Sequence, residues 1–383
     1  IPSVRMSDGP HGLRVQEKGD NGVTGSRVAT AFPTAATVAN GWNLENLQKA
    51  GQAIARECPH YGVDLLLGPG VNIKRNPLCG RNFEYFSEDP FLSGELAAAQ
   101  IRVVQQNGVG TCLKHFAFNN AETYRFSEDC IVDMRAAHEI YLRAFEKAVK
   151  EGQPWAVMSA YNRVNGEFCS QNKWLLHDVL REEWGYDGAV MTDWGGIHDR
   201  VAALQAGLDL EMPGDAAICR KWILDGLKAG TLAETDLNAA AENVLRLVER
   251  CSGEKQAEVD FSEHHRLSGE LAADCAVLLK NEGALPLAPE KELCIIGDLF
   301  AHMRYQGAGS SMVNRDRLTS PQNAFDERGI RYVFARGYNR NGVFRKKTME
   351  KALAVCQPYE SILLFAGLTD ESESEGADRK NMK

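Results

Sequence analysis

Residues 189–196 read AVMTDWGG, a short apolar run that ends in an acid and then a pair of glycines. Such a run is too short for a helix and lacks polar alternation, so it reads as a parallel strand buried on both faces. Asp193 then sits where the strand stops, with Trp194 as an apolar wall and Gly195-Gly196 leaving room for a ligand. Read as function, Asp193 is a nucleophile candidate. Read as structure, it caps a helix begun by Gly-Gly-Ile-His-Asp.

The same grammar repeats along the chain. Ser3 to Met6, Val63 to Leu67, Val109 to Leu113, Trp155 to Ser159 and Leu208 to Glu211 also read as strands, with helical patterns between them. One helix opens at Asp89-Pro90, carries Leu96, Ala99 and Val103, and stops at Asn107-Gly108. Another begins after Asp133, puts Ala137, Tyr141, Ala144, Phe145 and Ala148 on one face, and ends at Gly152. This succession predicts an α/β fold, a (β/α)8-type TIM-like barrel over residues 1–250. A polar linker follows over 251–265. The runs AVLLKNE, ELCIIGDL, IRYVFARGY and SILLFAGL then predict a partial α/β sandwich domain over 266–383.

In a barrel the loops after the strands open on one face, where active sites are built. Asp8, His115, Tyr161 and Asp193 all stand there. Lys114, beside His115, reads either as a Schiff-base lysine, which would make an aldolase-like enzyme, or as a lysine paired to an acid. Arg81 and Arg125 offer planar donors for hydroxyls or carboxylates. Glu371, Glu373 and Glu375 lie on a charged loop that composition alone assigns to solvent. GAGSS at 307–311 lacks the lysine and full spacing of a phosphate loop, so a nucleotide is not expected.

Composition narrows the class. The 383 residues are 44% hydrophobic and 25% charged, as in ordinary globular chains, and the net charge of -9 argues against nucleic acid or an anionic membrane as partner. No run approaches the length of a membrane span. The ten cysteines are scattered without a C-x-x-C pair, which argues against a disulfide or zinc framework and points to a reducing, cytoplasmic setting. The opening IPSVRMSDG has neither an initiator methionine nor a leader, so the expectation is part of a longer coding frame.

Taken together, SDGPHGLR, GPGVNIKRNPLCGRNFEYFSEDP, KHFAFNN, VMSAYNRVNG, MTDWGG, YQGAGSS and ESEGADR resemble glycoside hydrolase family 3, most closely its β-glucosidase members. The resemblance implies Asp193 as nucleophile and Glu375 as acid/base. It implies sugar binding by Asp8, Arg81, Lys114, His115, Arg125, Tyr161 and Trp194, with Ser310 as a weaker match. Lys114 becomes a hydroxyl donor under that reading. A retaining, exo-acting β-glucosidase follows, with a small glucoside or oligosaccharide as substrate and neither metal nor organic cofactor. In this scheme Asp193 is ionised at rest under the pull of Lys114, Arg81 and Arg125, while Glu375 is protonated, its pKa raised by carboxylate neighbours. A β-xylosidase is the runner-up, and a non-catalytic sugar-binding module the reading from another class. A β-N-acetylglucosaminidase fits less well, since those relatives take their acid from a barrel loop. The sequence leaves a homodimer open.

Overall fold

The computed structural model describes residues 1–17, 25–255, 258–288, 290–369 and 372–382. Five strands, β1 (Met6–Asp8), β2 (Leu65–Leu67), β3 (Gly110–Phe116), β4 (Ala156–Ser159) and β5 (Ala189–Thr192), form a parallel sheet in chain order. Leu210 extends it by a parallel bridge to Met191. Strands β2 to β5 are buried along their whole length, which is why they read as unbroken apolar runs. With β1 they form the parallel sheet of the TIM-barrel-like unit.

The helices between them are set by local chemistry. Asp89 accepts the amide of Leu92 at 2.9 Å and Pro90 fills the first turn of helix Pro90–Gln106, which packs on β3. After Asp133, helical turns cover 134–141 and 143–152, and Ala137, Ala144, Phe145 and Ala148 are buried as their spacing requires.

The second unit holds a three-stranded parallel sheet of β6 (Leu293–Ile296), β7 (Tyr332–Ala335) and β8 (Ile362–Leu364), in the order β7-β6-β8, packed around the fully buried Phe300. The run AVLLKNE, expected as a strand, pairs with no described strand, and Leu279 is 91% exposed. β-propensity is realised only against a neighbouring strand, and among the described residues this segment has none.

Contacts away from the strand ends also join this unit to the barrel. Asn314–Arg315 pairs in parallel with Val28–Ala29. Helix Phe261–Asp274, which the sequence reading gives to the second unit, packs against barrel residues. His264 Nδ1 meets Glu57 Oε1 at 2.7 Å, and the Ser268 hydroxyl donates to the carbonyl of Ala31 at 2.8 Å. All ten cysteines are free thiols.

Asp209 locks the last described barrel position. Its carboxylate accepts the Val190 amide at 2.7 Å, Arg181 at 2.8 Å and Asn243 at 3.0 Å, joining strand β5, the preceding helical segment and helix Glu234–Cys251. Removing one partner of a buried charged network leaves the others unpaired, so Asp209→Ala is expected to cost about 3–5 kcal/mol in urea unfolding. A loss below about 1 kcal/mol would contradict this role for Asp209.

Candidate active site

The strand ends build one pocket. Asp8 closes β1, Lys114 and His115 lie in the last part of β3, Tyr161 follows β4 and Asp193 follows β5. The turn after β5 is held by amides. Asp193 N donates to the carbonyl of Ser159 at 3.2 Å, Gly195 N to that of Met212 at 2.8 Å and Gly196 N to that of Asp193 at 2.9 Å. Gly195 has φ +78°, a conformation that favours glycine. Helix Arg200–Ala206 is capped by Asp199, so Asp193 is not a cap and its carboxyl is left for the pocket.

That cavity measures about 680 Å³, within the range of small-molecule sites. Asp8, Lys114, His115, Arg125, Tyr161, Asp193, Trp194, Ser310 and Glu375 all line it. Arg81 lies behind the lining, 1% exposed, with Nε on Glu84 Oε1 at 2.6 Å and Nη1 3.7 Å from Glu375 Oε1. Glu371 falls outside the described residues. Glu373 is tied to Arg304 at 2.6 Å and takes no part in this pocket.

A second cavity of about 700 Å³ lies beside Phe32, Phe83, Met303 and Leu318. Among the described residues Glu373 is the one carboxyl in its lining, and Arg304 already holds it. The chemistry therefore favours the first pocket.

Glu375 reaches the barrel from the second unit. Its Oε1 accepts from Arg125 Nη1 at 2.8 Å, and its Oε2 accepts the Ser310 amide at 2.7 Å. Gly309 stands against it with φ +118°, and a side chain there would begin 2.4 Å from Glu375 Cβ. The GAGSS run thus cradles a carboxylate through backbone N–H. Burial pushes the Glu375 carboxyl up, but Arg81, Ser310 and Arg125 together outweigh it and hold it well below the usual range.

Asp193 is in the opposite situation. Its Oδ1 accepts the Trp194 amide at 2.7 Å, while Oδ2 has no hydrogen-bond partner among the described residues and lies 3.5 Å from His115 Nε2. Burial raises its pKa and the Glu375 charge adds to that, against the pull of Arg81 and Lys114. For Glu375 this reverses the expectation of a carboxyl protonated at rest. Glu375 carries the well-stabilised negative charge, because two guanidinium groups and an amide converge on it; Asp193 holds the poorly solvated carboxyl.

The remaining partners are fixed by a network. His115 is bracketed by Asn72, which donates to its carbonyl and accepts from its amide, both at 2.9 Å. Asn119 donates to the Tyr85 oxygen at 2.9 Å, so the Tyr85 proton is available to His115 Nδ1, also at 2.9 Å. Burial, then Arg81, Lys114 and Arg125, hold His115 well below its ordinary pKa. With Nδ1 accepting from Tyr85, a neutral imidazole carries its proton on Nε2, the nitrogen that faces Asp193 Oδ2 at 3.5 Å. Lys114 Nζ lies 3.5 Å from Asp8 Oδ1, and burial, then Glu375 and Asp193, push the Asp8 carboxyl up against the pull of Lys114. The Tyr161 hydroxyl donates to the Trp194 carbonyl at 3.1 Å, and the Arg125 guanidinium lies 4.6 Å from its ring centroid.

The sequence reading passed over Arg14, Phe126, Glu122 and Asp378. Arg14 lines the pocket and donates to the Ser310 carbonyl at 3.1 Å, and Phe126 packs on Tyr161 with centroids 4.4 Å apart. Nothing in the sequence around Arg14 or Phe126 distinguishes either from a surface residue. Glu122 accepts from Arg125 at 2.9 Å and from the Gly376 amide at 2.8 Å.

Two family models match the chain, the Glycosyl hydrolase family 3 N terminal domain over residues 6–247 and the corresponding C-terminal domain over 276–383. The chain belongs to glycoside hydrolase family 3. It is 46% identical to thermostable β-glucosidase B of Acetivibrio thermocellus and 41% identical to an exo-α-(1→6)-L-arabinopyranosidase of Bifidobacterium longum, each over all of this chain and 52% of the relative. Among solved structures, a Bifidobacterium adolescentis GH3 β-glucosidase superposes with TM-score 0.91 at 41% identity, over all of this chain and 56% of that one. β-Glucosidase 3B of Thermotoga neapolitana in complex with glucose gives 0.89 at 37%, over all of this chain and 57% of that one. The chain spans about half the length of the curated relatives it matches. No helix among the described residues is long and apolar enough to cross a membrane.

A carboxylate depressed in the fold stabilises it in full above its unfolded pKa and loses that contribution as pH falls below it. For Glu375 the unfolded value is near 4.5. The stability advantage of the parent over Glu375→Gln is expected to be largest above pH 5 and to shrink between pH 4.5 and 3. Denaturation midpoints across that range measure it, and a constant difference would contradict the ion-pair assignment.

Proposed function

We propose that this chain carries the catalytic centre of a retaining, exo-acting β-glucosidase. The observation that carries the reading is two carboxyls, Asp193 from the barrel and Glu375 from the neighbouring unit, lining a single cavity with hydroxyl partners around them. A sugar ring seated there takes hydrogen bonds from Lys114, His115 and Arg125 and gives them to Asp8. A site built of buried polar groups resists a sugar that leaves any of them unpaired.

In the first step the glycosidic C–O bond breaks as an Asp193 oxygen bonds to the anomeric carbon, and the Glu375 proton passes to the leaving oxygen. Water then attacks the anomeric carbon, gives its proton to Glu375 and releases Asp193 from the ester. Glu375 must therefore gain a proton in the complex. Sugar hydroxyls that draw on Arg125 weaken the hold on its anion, and an ionised Asp193 nearby raises its proton affinity.

The β-glucosidases among the relatives support a β-glucoside as substrate, and the complex of a similar enzyme with glucose supports a monosaccharide pocket. The runner-up is a pentopyranoside, as a β-xylosidase or another exo-glycosidase of the family, favoured by the arabinopyranosidase among the relatives. Nitrophenyl glycosides of glucose, xylose and arabinopyranose separate these readings. Asp193→Asn is expected to lower hydrolysis of an aryl β-glucoside by about 10³-fold or more, a loss of about 4 kcal/mol in transition-state stabilisation, while glucose still binds. Equal rates for variant and parent would refute the nucleophile.

A further inference from the structure

We infer that Asp378 is a positioning residue that docks the Glu375 loop onto the barrel mouth. The inference rests on the glycosidase reading above and adds to it the device that holds the acid in place. The Asp378 carboxylate accepts four hydrogen bonds from three backbone amides on two separate barrel loops. Gly80 N donates to Oδ1 at 2.9 Å, Glu122 N to both oxygens at 3.0 Å, and Thr123 N to Oδ2 at 2.9 Å. Burial raises the Asp378 pKa, yet the amides of Thr123, Gly80 and Glu122 bring it below the ordinary value, as befits an anion in a cradle of N–H groups.

The surroundings are cut to the same contact. A side chain on Gly80 would begin 1.9 Å from the carbonyl oxygen of Ala377 and 2.2 Å from that of Ser374, so the loop lies directly on the glycine. Arg379 continues the seam, its amide donating to the Leu78 carbonyl at 2.8 Å and its guanidinium to the Pro77 carbonyl. Glu122, whose amide is held by Asp378, closes the loop from the other side by accepting Gly376 N and Arg125.

On its own side, the loop is bonded to Ala308, whose amide donates to the Glu373 carbonyl at 3.0 Å and whose carbonyl accepts the Glu375 amide at 2.9 Å. That bridge orients Glu375 within its own unit, and the Ser310 amide and the arginines hold its carboxylate. The backbone past Glu375 is referred to the barrel through Asp378, three residues further along the chain. Misplacing an acid by an ångström costs far more rate than stability.

The test compares the parent with Asp378→Ala and Asp378→Asn on two aryl β-glucosides, one with a poor leaving group (4-methylphenol) and one with an activated one (2,4-dinitrophenol). Proton donation matters for the first and hardly for the second. General acid catalysis is worth about 10²–10⁴-fold. Asp378→Ala is therefore expected to lose about 10²-fold in kcat/KM on the poor leaving group and less than about tenfold on the activated one. Asp378→Asn, which keeps one acceptor oxygen, should fall between. Equal losses on both substrates would overturn the positioning role.

Hydrogen exchange gives a readout that does not depend on activity. Amides of 122–125 and 374–379 should exchange at least about tenfold faster in Asp378→Ala, with the barrel strands unchanged. Unaltered exchange there would refute the docking contact. A parent that hydrolyses neither glucoside would sink the glycosidase reading, while exchange would still decide whether the contact exists.

Discussion

The site depends on a carboxylate from one folding unit being held by cations of the other. The Glu375 backbone is tied to Ala308 of its own unit, while its carboxylate is held against the barrel. Arg125 at 2.8 Å and Arg81 at 3.7 Å fix it there, with the Ser310 amide on its other oxygen. Each arginine is itself held by a buried acid, Arg81 by Glu84 and Arg125 by Glu122. Ions removed from water need such completeness, because a missing partner leaves a charge with neither solvent nor counterion.

This arrangement sets the chemistry of the resting pocket. Among the described residues three carboxyls, those of Asp8, Asp193 and Glu375, share it with Lys114 and the nearby guanidinium groups. They are not equivalent, since hydrogen bonding and charge gather on Glu375 while Asp193 keeps one oxygen unpartnered. Groups whose environments drive their proton affinities apart are the usual means of giving two carboxyls different tasks. The best-stabilised anion of the pocket sits on the residue proposed as acid. On the proposed mechanism, substrate entry must redistribute these charges before any bond breaks.

Much of this was legible in the sequence. The strands ending at Leu67, Ser159 and Thr192 announce themselves as unbroken apolar runs, because burial on both faces admits little else, whereas the half-buried first strand is Met6–Asp8 rather than Ser3 to Met6, and the third runs on from Gly110 to Phe116. Asp8, Lys114, His115, Tyr161 and Asp193 could be placed at one mouth from their position at or just after the strand ends. Glu375 could not be so placed: three acids in a charged loop look like solvated surface, and only the family resemblance singles one out. The resting charge state was misread for a related reason. Which cation meets which carboxyl is a matter of contacts 250 residues apart, between Arg125 and Glu375. AVLLKNE was misread because propensity carries no information about whether a partner strand lies alongside.

Asp378 shows the same limit from another side. Within ESEGADR it is one more acid, and its three amide partners are invisible because Gly80, Glu122 and Thr123 bind through their backbone. The central claim is that Asp193 and Glu375 act on one acetal bond from two units. Incubation with a 2-deoxy-2-fluoro-β-glucoside bearing an activated leaving group, followed by mass spectrometry of the intact chain and its peptides, tests it most directly. The account predicts one deoxyfluoroglucosyl unit esterified to Asp193. An adduct on another residue, or steady hydrolysis of the parent glucoside with no adduct at all, would contradict it.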